Sequence, residues 1–526
     1  MRSLLPKTWH FYIYVFSLVL LVIGMPVSKF LMSLSQIILA ANWILEGDLK
    51  NKFTSFFKNK PALVLSSVLL MHYIGLLYTS DYAYAFRDIR IKWPIVILPL
   101  ILSTSAPLSK KLFNAVLKFF VAAVIVGTII STLIYLGVIH RQVVDIRNIS
   151  IFISHIRFAL LICVAFFACF YLLRHETKMW LKALWLGIVV WLVGFLILFE
   201  SMTGLSILVI TSFLLGIVIV FKASGKRTKY IAGFSILVLI GVVALYLINV
   251  INDLHVKPDV LDRSKLIYKT AHGGDYHTIL EDTQMENGHF VWLEFCPEEL
   301  EATWNKRSEI HYDQKDLKGN EMKFTLMRFL ASKGWRKDQD AVNNLTNEEV
   351  KAIERGVTNV NFQNVSSIEG RIREILWEID LYKETGDPNG HSITQRYVYW
   401  KAALGIIMQH PLIGVGTGDV QKAFDEEYDK TNSPLKKEWR VHSHNQYLTI
   451  AVAFGIIGLC WFLFSLIYPM VKLKMKGDFL YVTFFFIALI SFLTEDTLET
   501  QAGVTFFVFF NSFYLFVKSR ISETSV

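Results

Sequence analysis

Twelve long apolar runs leave this chain few ways to fold. They lie at about 9–25, 27–45, 61–78, 93–108, 112–138, 155–173, 181–199, 203–221, 230–252, 443–470, 478–493 and 501–517. Each approaches the ~20 residues that cross the hydrocarbon core of a bilayer, a few of them falling short. In that medium backbone N–H and C=O groups must be satisfied within the segment, which makes such runs helices. The expected fold class is therefore all-α: a polytopic integral membrane protein with about twelve transmembrane helices. Composition agrees. The chain is 53% hydrophobic and 18% charged, short of the roughly 25% charged of soluble domains, and its mean hydropathy is +0.43. A formal net charge of +9 would suit a nucleic-acid binder. The basic residues, however, sit in short loops between apolar runs, where they orient spans, so the expected partner is the lipid bilayer and no nucleic acid. The opening MRSLLPK imitates a secretion signal. No small-residue cleavage site follows and a second apolar run begins at once, so it reads as a retained first span. Cys163, Cys169 and Cys460 lie in apolar runs and Cys296 stands alone, which leaves no disulfide framework or zinc spacing.

Loop charge sets the orientation. Lys50, Lys52, Lys58 and Lys60 fall after the second run, and Lys110 and Lys111 after the fourth. Arg174, Lys178 and Lys182 follow the sixth, Lys222, Lys226, Arg227 and Lys229 the eighth, and Lys472, Lys474 and Lys476 the tenth. All share one side if both termini do, and the positive-inside rule makes that side cytoplasmic. Three parts follow: 1–252 with spans one to nine, 253–442 outside the cytoplasm, and 443–526 with spans ten to twelve. The middle part, about 190 residues, is too long for a plain connection and must hold its own structure. It reads as helical. Thr346 with Glu349 and Ser366 with Glu369 have capping-box spacing. IREILWEIDLY (372–382) has apolar residues at helical intervals, and GDPNG (386–390) is a loop. The polar stretch 258–345 points to no role.

The most distinctive stretch runs from Arg396 to Gly458. A helical pattern carrying Arg396 and Trp400 stops at His410-Pro411, where the proline ring removes a donor. Gly414, Gly416 and Gly418 follow, then a charged segment. His444-Asn445 then heads a long apolar run that carries Gly455 and Gly458. The Gly414–Gly418 turn could cradle phosphate oxygens with backbone N–H groups; a tight turn after Pro411 explains it as well. A histidine at a membrane entry is wetted on one side and shielded on the other, which suits proton exchange near neutral pH. Cations gather at the same ends of the spans: Arg87 and Arg90 three apart on one helix face, His155 and Arg157 at the head of the sixth run, Arg396, and Arg440 with His442 before His444. Interfacial arginines commonly anchor spans by snorkelling. Arg157, just inside an apolar run, is costly unless it faces a cavity or a partner. Two acidic groups, Glu495/Asp496/Glu499 and Asp425/Glu426/Glu427/Asp429, read as solvated loop faces.

His444-Asn445, nine intervening residues, Gly455 and Gly458, together with Arg396, Trp400, His410-Pro411, Gly414 and Gly416, resemble the signature of the O-antigen ligase and polymerase superfamily. The close resemblance covers about this stretch; elsewhere only the hydropathy layout agrees. It implies an enzyme of the bacterial inner membrane. A glycan on undecaprenyl diphosphate would pass at the periplasmic face to an acceptor hydroxyl, with inversion and no cofactor. It also implies His444 and Arg396 as catalytic residues, with Asn445, Gly455, Gly458, Trp400, Pro411, Gly414 and Gly416 as motif support. A departing diphosphate needs its charge offset. Guanidiniums bind phosphate oxygens in pairs, so Arg157, Arg87, Arg90 and Arg440 are the candidate diphosphate ligands, and no metal is expected. The family often carries an arginine in a Ser-Arg-Gly-like turn where this chain has Glu200-Ser201-Met202-Thr203-Gly204. Met202 leaves that charge to Arg157 or to the Arg87/Arg90 pair, unless the donor differs. A lipid A-core ligase is the leading expectation. A polymerase of lipid-linked repeats, or a protein O-oligosaccharyltransferase, differs only in acceptor. A secondary transporter would show two similar halves with spans interrupted near the midplane, whereas here the polar candidates sit at one face.

Overall fold

The computed structural model describes residues 5–141, 149–222, 225–254, 259–282, 284–363 and 367–523. In chain order the helices are α1 (Lys7–Val27), α2 (Lys29–Leu45), α3 (Leu49–Lys58), α4 (Lys60–Ile74), α5 (Tyr82–Lys92), α6 (Pro94–Thr104), α7 (Lys110–Tyr135), α8 (His155–Arg174), α9 (Met179–Leu198), α10 (Met202–Lys222) and α11 (Lys226–Leu254). Then come α12 (Pro297–Arg307), α13 (Met322–Ser332), α14 (Gln339–Asn343), α15 (Asn347–Glu354), α16 (Ser367–Thr385), α17 (Ser392–Gln409), α18 (Val420–Lys430), α19 (Gln446–Lys472), α20 (Phe479–Thr494) and α21 (Gln501–Ser512). Every apolar run of the sequence falls on a helix. Among the described residues eight helices are long and apolar enough to cross a membrane: α1, α4, α7, α8, α9, α10, α19, and α21 with its continuation to Ile521. The α2–α3 pair, bent by 111°, makes up to nine. The sequence led us to expect about twelve. Of the other three runs, two lie on short helices, α6 with 11 residues and α20 with 16, and the third lies on α11. The chain is an all-α, multi-pass membrane protein.

Two compact units are present. Residues 234–377 form one, with a two-residue hairpin, β1 (Met285–Glu286) and β2 (His289–Phe290), beside helices α12 to α15. Its own core gathers Trp304, Met322, Leu326, Phe329, Leu330, Val342 and Ile353. Burial of those apolar side chains gives the polar stretch 258–345 the driving force to fold, and the Trp304 N–H finds the Ile310 carbonyl at 2.9 Å. The expected capping box is present: Thr346 Oγ1 accepts from Glu349 N, and the Glu349 carboxylate accepts from Thr346 N. Ser366, of the second expected box, lies outside the described residues.

Residues 1–233 and 378–526 form the other unit. The contacts therefore group 378–442, with the Arg396–Gly418 motif, with the spans. In it α1 packs on α2 and α7, α4 on α19 and α6, and α8 on α9, α10 and α20, while α21 packs on α6.

One irregularity positions the site. α19 is broken at Gly455, whose φ is 62° and ψ −166°. A break inside a span strands backbone groups that have no water to turn to. The turn after α17 supplies the partners. Val415 N and Gly416 N donate to the Val452 and Ala453 carbonyls at 3.0 and 2.9 Å, and Ile456 N donates to the Pro411 carbonyl at 2.9 Å. Such an approach admits no side chain. A Cβ on Gly455 would lie 2.2 Å from the Leu412 carbonyl carbon, and one on Gly414 would lie 2.4 Å from that of Ala453.

Candidate active site

Three consecutive residues at the head of α19 pin the loop between α20 and α21. His444 stands in the left-handed region at φ 48°, and its N–H donates to Asp496 Oδ2 at 2.9 Å. Asn445 caps α19, its Oδ1 accepting from Tyr447 N and Leu448 N, while its Nδ2 donates to the Leu493 carbonyl. An N-cap of this kind is worth ~1 kcal/mol. Gln446 accepts from Leu498 N at 2.6 Å and donates to Glu499 at 3.2 Å. The other Asp496 oxygen accepts from Thr449 Oγ1 at 2.7 Å. Asp496 is 8% exposed, and Glu495 and Glu499 are largely shielded. The expectation of a solvated acidic face is thus overturned: these carboxylates are buried because donors and cations from four other elements meet them. In the other acidic group Glu427 also turns inward, accepting from Gln409 Nε2 at 2.7 Å, while Glu426 and Asp429 are exposed.

Glu495 faces His444 and Arg396. Its carboxylate lies 3.9 Å from His444 Nδ1 and 3.2 Å from an Arg396 nitrogen. Arg396 projects from α17, as do Tyr399, whose ring is 5.7 Å from the His444 ring, and Trp400, whose N–H donates to the Ser443 carbonyl at 3.0 Å. Arg157, in the first turn of α8, donates to Ser154 Oγ at 2.9 Å, and its charge is felt by both Glu495 and His444. The Nε atoms of Arg157 and Arg396 are buried without a hydrogen-bond partner. These are two buried guanidinium N–H groups from separate helices with donor capacity left over. Burial pushes the Glu495 carboxyl up, and the charges of His444 and Arg396 oppose it. Burial likewise holds the His444 imidazole below its usual range; Glu495 pulls it up, and Arg396 and Arg157 push it further down. The ring is therefore neutral near pH 7. With 41% of the side chain open, it has a face to offer a reactant.

Behind this site lies an ionic cluster that sequence reasoning missed. Lys92, 1% exposed at the end of α5, bonds Asp88 one turn earlier and Glu499 at 2.9 Å. Burial favours the neutral acid at Glu499, but Lys92 outweighs it and holds the carboxyl at about 2. Asp88, where burial leads, is pushed up to about 7. His442 belongs here as well: its Nε2 is 3.2 Å from Tyr84 Oη and its ring stacks on Phe424. A lysine directly before Trp93-Pro94 at the edge of an apolar run was the available signal, since such a residue needs a partner.

The other candidates separate. Arg87 and Arg90 are both exposed on α5, opposite the Asp88–Lys92 face; Arg87 lies over the Tyr84 ring at 5.0 Å. Arg440 is committed to Asp429 at 2.5 Å and to the Leu435 carbonyl. Four N–H groups of the Gly414–Gly418 turn are occupied: Gly414 donates to His410, Val415 and Gly416 to α19, and Gly418 to Thr79 Oγ1. Of the two readings of that turn, close packing is the one present. Gly458 is buried in α19, where a Cβ would clash with Phe454. At the Met202 turn, Ser201 caps α10, and a Cβ on Gly204 would touch Ala159, two residues along α8 from Arg157. Among the described residues no three His, Cys, Asp or Glu side chains gather as metal ligands would.

Compared with protein-family models, residues 343–463 match the O-antigen ligase family. This segment holds Arg396, the glycine turn and the His444 motif, and the match bears out the resemblance read from the sequence. No curated protein matches the chain.

Proposed function

We propose, with the O-antigen ligase match as premise, that this chain is an inverting glycosyltransferase of the bacterial inner membrane. It would take a glycan from undecaprenyl diphosphate and attach it to a lipid A-core hydroxyl at the periplasmic face. The observation that carries the reading is that His444 and Arg396 meet at Glu495, with the Nε atoms of Arg396 and Arg157 buried without a hydrogen-bond partner. His444 Nε2 makes no hydrogen bond to the described residues and is the lone pair that accepts the hydroxyl proton. The acceptor oxygen forms its bond to the anomeric carbon from the face opposite the diphosphate. The bond to the diphosphate oxygen breaks, and the departing charge is met by Arg396 and Arg157. Glu495 balances the two arginines before the donor arrives and holds the imidazole in place. Arg157 stands in for the arginine that Met202 replaces. Fixed guanidiniums offset the leaving charge, so the transfer needs no divalent metal. About twelve spans, both termini cytoplasmic and 253–442 periplasmic, complete the arrangement.

The test supplies purified protein with a lipid-linked glycan and lipid A-core together. The expected product is glycan joined to the lipid A-core. Product confined to longer lipid-linked chains would make the protein a polymerase, and no transfer to either acceptor would overturn the reading.

A further inference from the structure

We infer that the end of α8 away from His155 carries a binding site for an anionic glycerophospholipid. A groove of about 760 Å³ opens there between α8, α10 and the start of α20. Phe166, Phe170 and Phe479 wall it, Leu215 lies at its floor, and Arg174 stands at its end. A second groove of similar size, about 790 Å³ between α4 and α19, has no charged residue in its lining. Apolar grooves facing lipid are thus not rare in this molecule; a charged end is what sets this one apart.

The charge at that end is available. Arg174 is exposed and makes no hydrogen bond or ion pair with the described residues. Lys518 also lines the groove, but Asp478 holds it at 2.5 Å, and Asp478 is further committed to capping α20 through Tyr481 N. Beyond Arg174, Lys178 is exposed and Lys182 half-buried, and the nearby Glu176 carboxylate accepts from Thr177 N. From Phe166 to Arg174 α8 rises ~12 Å at 1.5 Å per residue, the reach of an acyl chain segment from headgroup level into hydrocarbon. A guanidinium takes a phosphodiester oxygen pair in a planar fork. A zwitterionic headgroup would bring its ammonium against the same cations. Basic pockets between spans favour anionic headgroups for this reason. The inference is independent of the reaction assigned to His444.

The experiment equilibrates purified protein with vesicles of equal parts phosphatidylglycerol and phosphatidylcholine and measures retained lipid by native mass spectrometry. Phosphatidylglycerol should be retained about 3- to 10-fold over phosphatidylcholine. Arg174→Gln should abolish the preference, and Ser212→Trp, which fills the groove without changing charge, should reduce retained lipid of both kinds. Equal retention by the unmodified protein, or a preference unchanged in Arg174→Gln, overturns the proposal; so does a Ser212→Trp protein that melts normally and retains as much lipid.

Discussion

Lys92→Met keeps the side chain's length and removes its charge. The ammonium is 1% exposed and meets two carboxylates, Asp88 and Glu499. Without it the two keep only the imidazoles of His72, 3.9 Å from Asp88, and His442 near them. Breaking a buried pair by removing one partner costs about 3–5 kcal/mol, because the remaining charge is uncompensated. At about 1 °C per kcal/mol for a chain of 526 residues, the melting temperature of the detergent-solubilised protein should fall by roughly 3–5 °C. Lys92→Met with Glu499→Gln should recover at least half of that loss, since the unpaired charge goes with its partner. The pH dependence has a definite sign. Glu499 is held at about 2, below its ordinary value of 4.5, so its contribution is present above 4.5 and lost as pH falls toward 2. In Lys92→Met that depression disappears and the carboxyls prefer to be protonated, so the deficit shrinks as pH is lowered from neutrality. The assay is thermal denaturation of the single and double variants across pH. A single variant that melts within about 2 °C of the unmodified protein, or a double variant worse than the single, refutes the reasoning.

Glu495→Gln removes the charge that pulls His444 toward imidazolium, so the acid limb of the rate–pH profile should move to lower pH. The plateau rate should fall about tenfold, ~1.4 kcal/mol; a limb that moves upward contradicts the His444–Glu495 coupling. Transfer from a lipid-linked donor should proceed equally with and without excess EDTA; activity lost with EDTA and restored by Mg²⁺ would replace the arginines with a metal. A periplasm-active reporter fused near Gly386 should be active and one near Gly225 inactive, and the reverse would overturn the orientation.

Helices were legible because a bilayer punishes any other backbone, so each apolar run became one. Chain ends of helices were legible where chemistry marks them: Pro411 stops the pattern of α17, and Thr346–Glu349 opens α15. His444 and Arg396 were legible as a motif, and the structure brings both to Glu495. What sequence spacing could not convey is which charges meet across the fold. Glu495, Asp496 and Glu499 look like any loop acids until Arg396, Thr449 and Lys92 arrive from 99, 47 and 407 residues away. The glycines left two readings open, a phosphate cradle and a tight turn. The structure shows the second: they let the turn after α17 dock into the break of α19. Arg440 likewise reads as a site cation until Asp429 takes it.

The central claim is that His444 takes the acceptor's proton. Its most direct test is the initial rate of glycan transfer from a lipid-linked donor by purified His444→Ala, measured beside the melting temperature of the same sample. Loss of a positioned proton acceptor should lower the rate by about 10²–10⁴. The left-handed backbone and the Asp496 contact are made by the main chain, so the melting temperature should stay within about 2 °C. A normal rate in a normally melting protein would contradict the assignment.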